Sequence, residues 1–117
     1  DNYPTVDGTC IRDYVHVNDL AEAHLLGIDY MHKNKGFSAF NLGNGDGFSI
    51  LDIIKECEYI SGCKIPFEIY KRREGDPAVL VADNQLAIAK LGWKLKNTDI
   101  SVILKSAYNW HKKYNKI

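Results

Sequence analysis

From Leu20 to Met31 the apolar residues fall at helical spacing over so wide an arc that little of the helix is left for water. Leu20, Ala23, Gly27 and Met31 share one face, and Ala21, Leu25, Ile28 and His32 lie beside them. The polar stripe of Asp19, Glu22, Asp29 and Lys33 is the narrower one. A helix apolar on this scale has to be covered, so the pattern predicts a mostly buried helix capped by Asn18 or Asp19.

The other elements are shorter. Ser38 to Leu42 reads as a strand, and Gly43-Asn44-Gly45-Asp46-Gly47 as a turn into a second helix capped at Ser49, with Asp52 three residues on. Ile50, Ile53, Ile54, Cys57 and Ile60 mark that helix's inner face, and Gly62 stops it. Pro66 to Tyr70 suggests another strand. After the Arg72 to Asp76 loop, a short helix runs from Asp83 to Gly92. A last helix begins near Thr98 or Asp99, with Ile103, Ala107, Tyr108, Trp110 and Tyr114 at helical spacing. The fold class is α/β, helix-rich and mixed, with a few short strands. At 117 residues the chain is one domain's worth, residues 1–117, with a modest core and no repeat or linker.

Lys and Arg balance Asp and Glu at 15 each, so no net field draws in nucleic acid or an anionic membrane. Cys10, Cys57 and Cys63 are odd in number and lack Cys-x-x-Cys spacing, which argues against a disulfide framework or zinc and for reduced thiols in the cytoplasm. His16, His24, His32 and His111 show no metal-binding spacing, so no metal site is expected. No apolar run approaches the ~20 residues needed to span a bilayer.

Two arginine stations stand out in this neutral chain: Arg12 in Arg12-Asp13-Tyr14-Val15-His16-Val17, and Arg73 in Arg72-Arg73-Glu74-Gly75-Asp76-Pro77. A guanidinium meets phosphate oxygens two at a time and stays charged at any working pH, so two converging on one place suit a diphosphate. The bland reading is two loop charges neutralised by Asp13 and Asp76. On spacing alone the two readings are even.

Two motifs invite over-reading. Gly43-Asn44-Gly45-Asp46-Gly47 lies between a predicted strand and a helix, where a dinucleotide fold has its phosphate loop, but the third glycine of G-x-G-x-x-G would fall on Phe48. A tight turn is the reading here, with no cofactor-binding residue. Tyr108-Asn109-Trp110-His111-Lys112 spells Tyr-x-x-x-Lys on one helical face, yet a catalytic pair also needs a cofactor and a Ser or Thr partner. Core Tyr and surface Lys are expected, and His16 is read as a hydrogen-bonded structural residue.

The stretch Asp7-Gly8-Thr9-Cys10-Ile11-Arg12-Asp13-Tyr14-Val15-His16-Val17-Asn18-Asp19-Leu20-Ala21-Glu22-Ala23 strongly resembles the UDP-glucose 4-epimerases of the extended short-chain dehydrogenase/reductase superfamily. Phe40-Asn41-Leu42-Gly43-Asn44-Gly45, Ser49-Ile50-Leu51, Arg72-Arg73-Glu74-Gly75-Asp76-Pro77, Ala82-Asp83 and Leu91-Gly92-Trp93 follow in the family's order. The resemblance covers nearly the whole chain and matches only the last third of such an enzyme. Since the chain opens at Asp1 without Met, it reads as a carboxy-terminal UDP-sugar-binding piece whose amino-terminal Rossmann domain lies elsewhere.

The resemblance implies site roles. Positions matching Arg12 and Arg73 contact the diphosphate, those matching Tyr14 and Asp76 contact the ribose or line its pocket, and Ile50 matches a residue near the uridine. Leu80, four residues beyond Asp76, borders the sugar pocket; a Tyr there narrows it, and a smaller residue leaves room for an N-acetyl group. Leu86 departs from the Lys that relatives often carry in their Asp-x-x-Lys-Ala segment. The implied partners are a UDP-sugar, the Rossmann domain and further copies in a homo-oligomer. The implied reaction interconverts UDP-glucose and UDP-galactose through a 4-keto sugar, with NAD on the other domain. No residue of this chain is expected to be catalytic, and the piece alone should be inactive. Three competitors are a related dehydratase or decarboxylase, a stand-alone nucleotide-diphosphate module, and a purely structural fragment.

Overall fold

The computed structural model describes residues 2–115. Along the chain run β1 (Ile11–Asp13), α1 (Val17–Lys33), β2 (Gly47–Ser49), α2 (Ile50–Ser61), β3 (Val79–Leu80), α3 (Gln85–Leu91) and α4 (Ile100–Asn115). The three strands form one sheet in the order β2-β1-β3, with β2 antiparallel and β3 parallel to the central strand. The register pairs Arg12 with Phe48 on one side and Leu80 on the other, so these three side chains share a sheet face.

Local chemistry explains the ends of α2. The Ser49 hydroxyl accepts from the Asp52 N–H at 3.0 Å, and Gly62 takes the left-handed conformation with its N–H on the Glu58 carbonyl. Gly92 closes α3 in the same way, and the Asp99 carboxylate accepts from the Ser101 N–H at the start of α4. α2 packs along α4, and the Ser101 hydroxyl donates to Glu56 at 2.5 Å.

The cap of α1 is neither Asn18 nor Asp19. His16 takes that position, its Nδ1 accepting from the Asn18 N–H at 3.1 Å. Asp19 leaves the solvated stripe altogether and is only 1 % exposed. Its carboxylate accepts from the N–H groups of Asn97 at 2.9 Å and Lys96 at 3.2 Å and from the Asn97 amide at 2.9 Å, while its carbonyl accepts from the Trp93 indole at 2.8 Å. Burial pushes the Asp19 carboxyl up, but the Asn97 and Lys96 donors and the nearby His16 outweigh it, and the net displacement is downward. One buried carboxylate thus pins the chain after α3 to the first turn of α1.

Around Asp19 sits a small core of Ala23, Ala87 and Trp93, flanked by Val15, Leu26, Phe40, Leu42, Leu91 and Leu95. The outer face of α1 is open, contrary to the expected burial: Leu25 is 66 %, Ile28 47 % and Met31 68 % exposed. Ile28 and Met31 line, with Phe37, an apolar groove of about 540 Å³. The radius of gyration is 16.9 Å, against roughly 13 Å for a compact chain of this length, and the molecule is a slab of 49 × 37 × 20 Å.

Neither expected strand forms. Ser38–Leu42 forms no regular element, with Phe40 and Leu42 packed on the core beside α1 and the Phe40 ring edge-on to Tyr30 at 5.4 Å. Pro66–Tyr70 likewise forms no regular element and is exposed. Alternation makes a segment fit a sheet, but a strand exists only where a neighbour takes its amides. Here the sheet recruits 11–13, 47–49 and 79–80 instead.

Candidate functional site

Arg12 lies on the central strand, and its guanidinium is gripped from two sides. Nη2 pairs with Asp76 Oδ1 at 2.7 Å, and Nη1 donates to the Ile11 carbonyl at 2.7 Å. Both side chains of the pair are mostly buried, at 21 % and 16 % exposure. The other carboxylate oxygen of Asp76 accepts from the Tyr3 hydroxyl at 2.5 Å and has Arg73 Nη2 at 3.6 Å. Arg73 is largely in solvent, where a long ion pair contributes little and leaves the side chain free to turn to another anion. Two of the five Arg12 N–H bonds are committed to the two protein acceptors.

The loop carrying Arg73 is a tight turn, with Gly75 at φ 76° and the Asp76 N–H on the Arg73 carbonyl. Arg72 fastens it, donating through Nε and Nη2 to the Asp76 carbonyl at 3.1 and 2.6 Å while its guanidinium lies 4.6 Å from the Tyr3 ring centre. The Tyr3 hydroxyl foremost, with the guanidinium groups of Arg12 and Arg73, holds the Asp76 carboxyl below the usual carboxylate range, outweighing the upward effect of burial. The same hydrogen bond to Asp76 raises the Tyr3 phenol.

Beside Arg12 opens a cleft of about 520 Å³, lined among others by Phe40, Asn41, Leu80 and Asp83. Arg12, Arg73 and Asp76 therefore converge, with Leu80 next to Arg12 across the sheet. Tyr14 and Ile50 are half-buried and do not line that cleft: burial raises the Tyr14 phenol against the opposing charge of Arg12, and the Ile50 N–H donates to the Cys10 carbonyl at the start of α2.

Asp13 does not neutralise Arg12. Its carboxylate accepts from the N–H groups of Asn44 at 2.7 Å, Gly45 at 3.1 Å and Ala82 at 3.1 Å. These bonds bind the glycine-rich turn and the segment after β3 to the central strand. A Cβ on Gly43 would collide with the Asp13 carboxylate and with Ala82, which is why this position is glycine.

No protein-family model matches the chain. The UDP-glucose 4-epimerase of Halalkalibacterium halodurans is 46 % identical over 114 residues, which is 97 % of this chain and 34 % of that protein. A crystal structure of UDP-glucose 4-epimerase superposes with a TM-score of 0.90 at 45 % identity, covering 98 % of this chain and 35 % of the other. The chain is similar in sequence and fold to one segment of the UDP-glucose 4-epimerases. A further match, to the epimerase of Bifidobacterium longum in complex with NAD+ and UDP, has a TM-score of 0.87 at 43 % identity over 98 % of this chain and 34 % of that one. The chain spans about a third of the length of the epimerases it matches.

Its helix-rich α/β architecture is one it shares with that epimerase crystal structure over 98 % of its length. The NAD of that family does not fit the glycine-rich turn of this chain, because the amides a pyrophosphate would need already serve Asp13. Nor is there a Ser–His nucleophile, although Ser106 Oγ is 2.9 Å from His16 Nε2. With Nδ1 accepting from Asn18, the ring proton sits on Nε2 and points at the hydroxyl, the wrong tautomer for a base. Tyr108 and Lys112 meet only as a surface contact on α4, the ammonium 6.0 Å from the ring. Among the described residues no cluster of three potential metal ligands occurs, and no helix is long and apolar enough to cross a membrane.

Sequence reasoning missed Tyr3, Arg72 and Asp13 as parts of the site. Only Asp13 left a signal: on a strand, neighbours of Arg12 point to the opposite face, so Asp13 could not have been its partner.

Proposed function

We propose that this chain is the UDP-holding part of a UDP-glucose 4-epimerase, and that the whole enzyme interconverts UDP-glucose and UDP-galactose. The observation that carries the reading is the meeting of Arg12 and Arg73 on Asp76, with an open cleft that Arg12, though neither Arg73 nor Asp76, lines. Arg12 offers a rigid, half-screened fork and Arg73 a mobile one, which suits a ligand that enters through solvent and ends clamped between two charges. In this account both arginines take the diphosphate, Asp76 and Tyr14 serve the ribose, Ile50 flanks the uracil and Leu80 borders the sugar.

An enzyme that turns a 4-keto sugar over between two faces must hold its nucleotide firmly and its sugar loosely. Binding interactions with the remote UDP keep the reactive ketone in the site while the ring stays free to rotate. The redox chemistry belongs with NAD on a dinucleotide-binding domain outside these 117 residues, and no residue of this chain is assigned a part in it. The open face of α1 supports docking against such a domain. Free thiols at Cys10, Cys57 and Cys63 support a cytoplasmic enzyme, which we read as a homo-oligomer.

Leu80 extends the reading to the sugar. It is 58 % exposed and branched only at its end, leaving room beside Arg12 that a Tyr would fill. Tolerance of UDP-N-acetyl sugars follows, and strict confinement to the two hexoses would remove this part.

The test is a chimaera in which these residues replace the matching segment of the Halalkalibacterium halodurans enzyme. Epimerase activity that Arg73→Ala depresses chiefly through a higher KM is the expected result. A folded chimaera that binds NAD but gains nothing from Arg73 would contradict it.

A further inference from the structure

Tyr3 belongs to no role considered so far, yet it closes a ring of contacts around the diphosphate arginines. Its hydroxyl donates to Asp76 Oδ2 at 2.5 Å across 73 residues of sequence, and Arg12 holds Oδ1 of the same carboxylate at 2.7 Å. Arg72 grips the Asp76 carbonyl with two N–H groups and lays its guanidinium 4.6 Å from the Tyr3 ring centre. Segment 3–12 and loop 72–76 are thereby latched together at three points, and the Arg72 grip on the Asp76 carbonyl closes the loop on itself.

We propose that Tyr3 is a positioning residue for diphosphate recognition, setting the separation between Arg12 and Arg73 through Asp76 and Arg72. This rests on the UDP-binding reading above. Arg12 needs no such help, being held by its own strand and the Ile11 carbonyl. Arg73 does, because its side chain is 85 % exposed and its place relative to Arg12 depends on the turn that Asp76 and Arg72 anchor. A ligand with one phosphate can be satisfied by one arginine, whereas two phosphates a fixed distance apart require both at once. Loss of the latch should therefore weaken a diphosphate selectively.

Tyr3→Phe removes only the hydroxyl and keeps the ring under Arg72. Calorimetric titration of wild type and Tyr3→Phe with UDP and with UMP, beside thermal melts, reads the effect. The expected result is a fall of about fivefold or more in UDP affinity with UMP affinity within about twofold of wild type. Arg72→Lys, an exposed change that keeps the charge and loses the two-pronged grip, should reproduce that selectivity loss and stands in should Tyr3→Phe fail to fold. A lowered melting temperature with an unchanged UDP-to-UMP ratio would make Tyr3 a plain strap and overturn the inference. Wild type that binds UDP through Arg12, with both variants still indistinguishable from it, would overturn the inference alone. Wild type that binds no UDP would overturn the underlying reading with it.

Discussion

Arg12 and Asp76, 64 residues apart in sequence, are joined at 2.7 Å with both side chains mostly out of solvent. The pair marks where the central strand meets the loop before β3, and with Tyr3 it makes a three-membered polar cluster whose protonation is coupled to folding. Asp76 has a depressed folded pKa, so its stabilisation is fully present above the ordinary carboxylate range, near pH 4, and is lost as pH falls through the folded value. Tyr3 has a raised folded pKa; its stabilisation is present below the ordinary phenol value of about pH 10 and is lost as pH rises through the higher folded one. Melting temperature against pH should show a plateau that declines on both sides. Tyr3→Phe should flatten the alkaline decline and make the acid decline shallower, because Asp76 loses the contact that most depresses its carboxyl. An alkaline limb identical in the variant would contradict the assignment.

Asp19 is a second place where one side chain carries much of the structure. Asp19→Ala leaves the N–H groups of Lys96 and Asn97 and the Asn97 amide without their acceptor in a dry site, at a cost of about 1–3 kcal/mol per unsatisfied group. For a chain of this size that corresponds to a drop of roughly 4–8 °C per kcal/mol, readable by calorimetry. A loss below about 2 °C would mean water replaces the carboxylate easily.

Several helix ends were readable in advance, whereas the His16 cap of α1 and the pattern of burial were not. Ser49, Gly62, Gly92 and Asp99 act through contacts within a few residues, so sequence spacing alone exposes them. The failed strands at Ser38–Leu42 and Pro66–Tyr70, the inward turn of Asp19 and the reach of Tyr3 to Asp76 all depend on partners more than seventy residues away or on a neighbour that is not there to pair. The site itself was half legible. Convergence of Arg12 and Arg73 was expected from the resemblance, whereas the tyrosine that contacts Asp76 and Arg72 left no local signature.

The open face of α1 predicts behaviour of the isolated chain. Leu25, Ile28 and Met31 present a contiguous apolar surface with the groove beside them, and such surfaces associate. Sedimentation should show mass rising with concentration, and a Leu25→Glu, Met31→Glu double variant should return it towards monomer. A compact monomer of the wild-type chain at high concentration would contradict this.

The central claim is that two guanidinium groups from distant parts of the chain hold one diphosphate, and calorimetry with UDP tests it most directly. Wild type should bind saturably with one site, and Arg12→Ala or Arg73→Ala should each weaken binding by about tenfold or more, the scale of one charge-assisted contact. Saturable binding that neither substitution changes, or no heat of binding at millimolar UDP, would contradict the account.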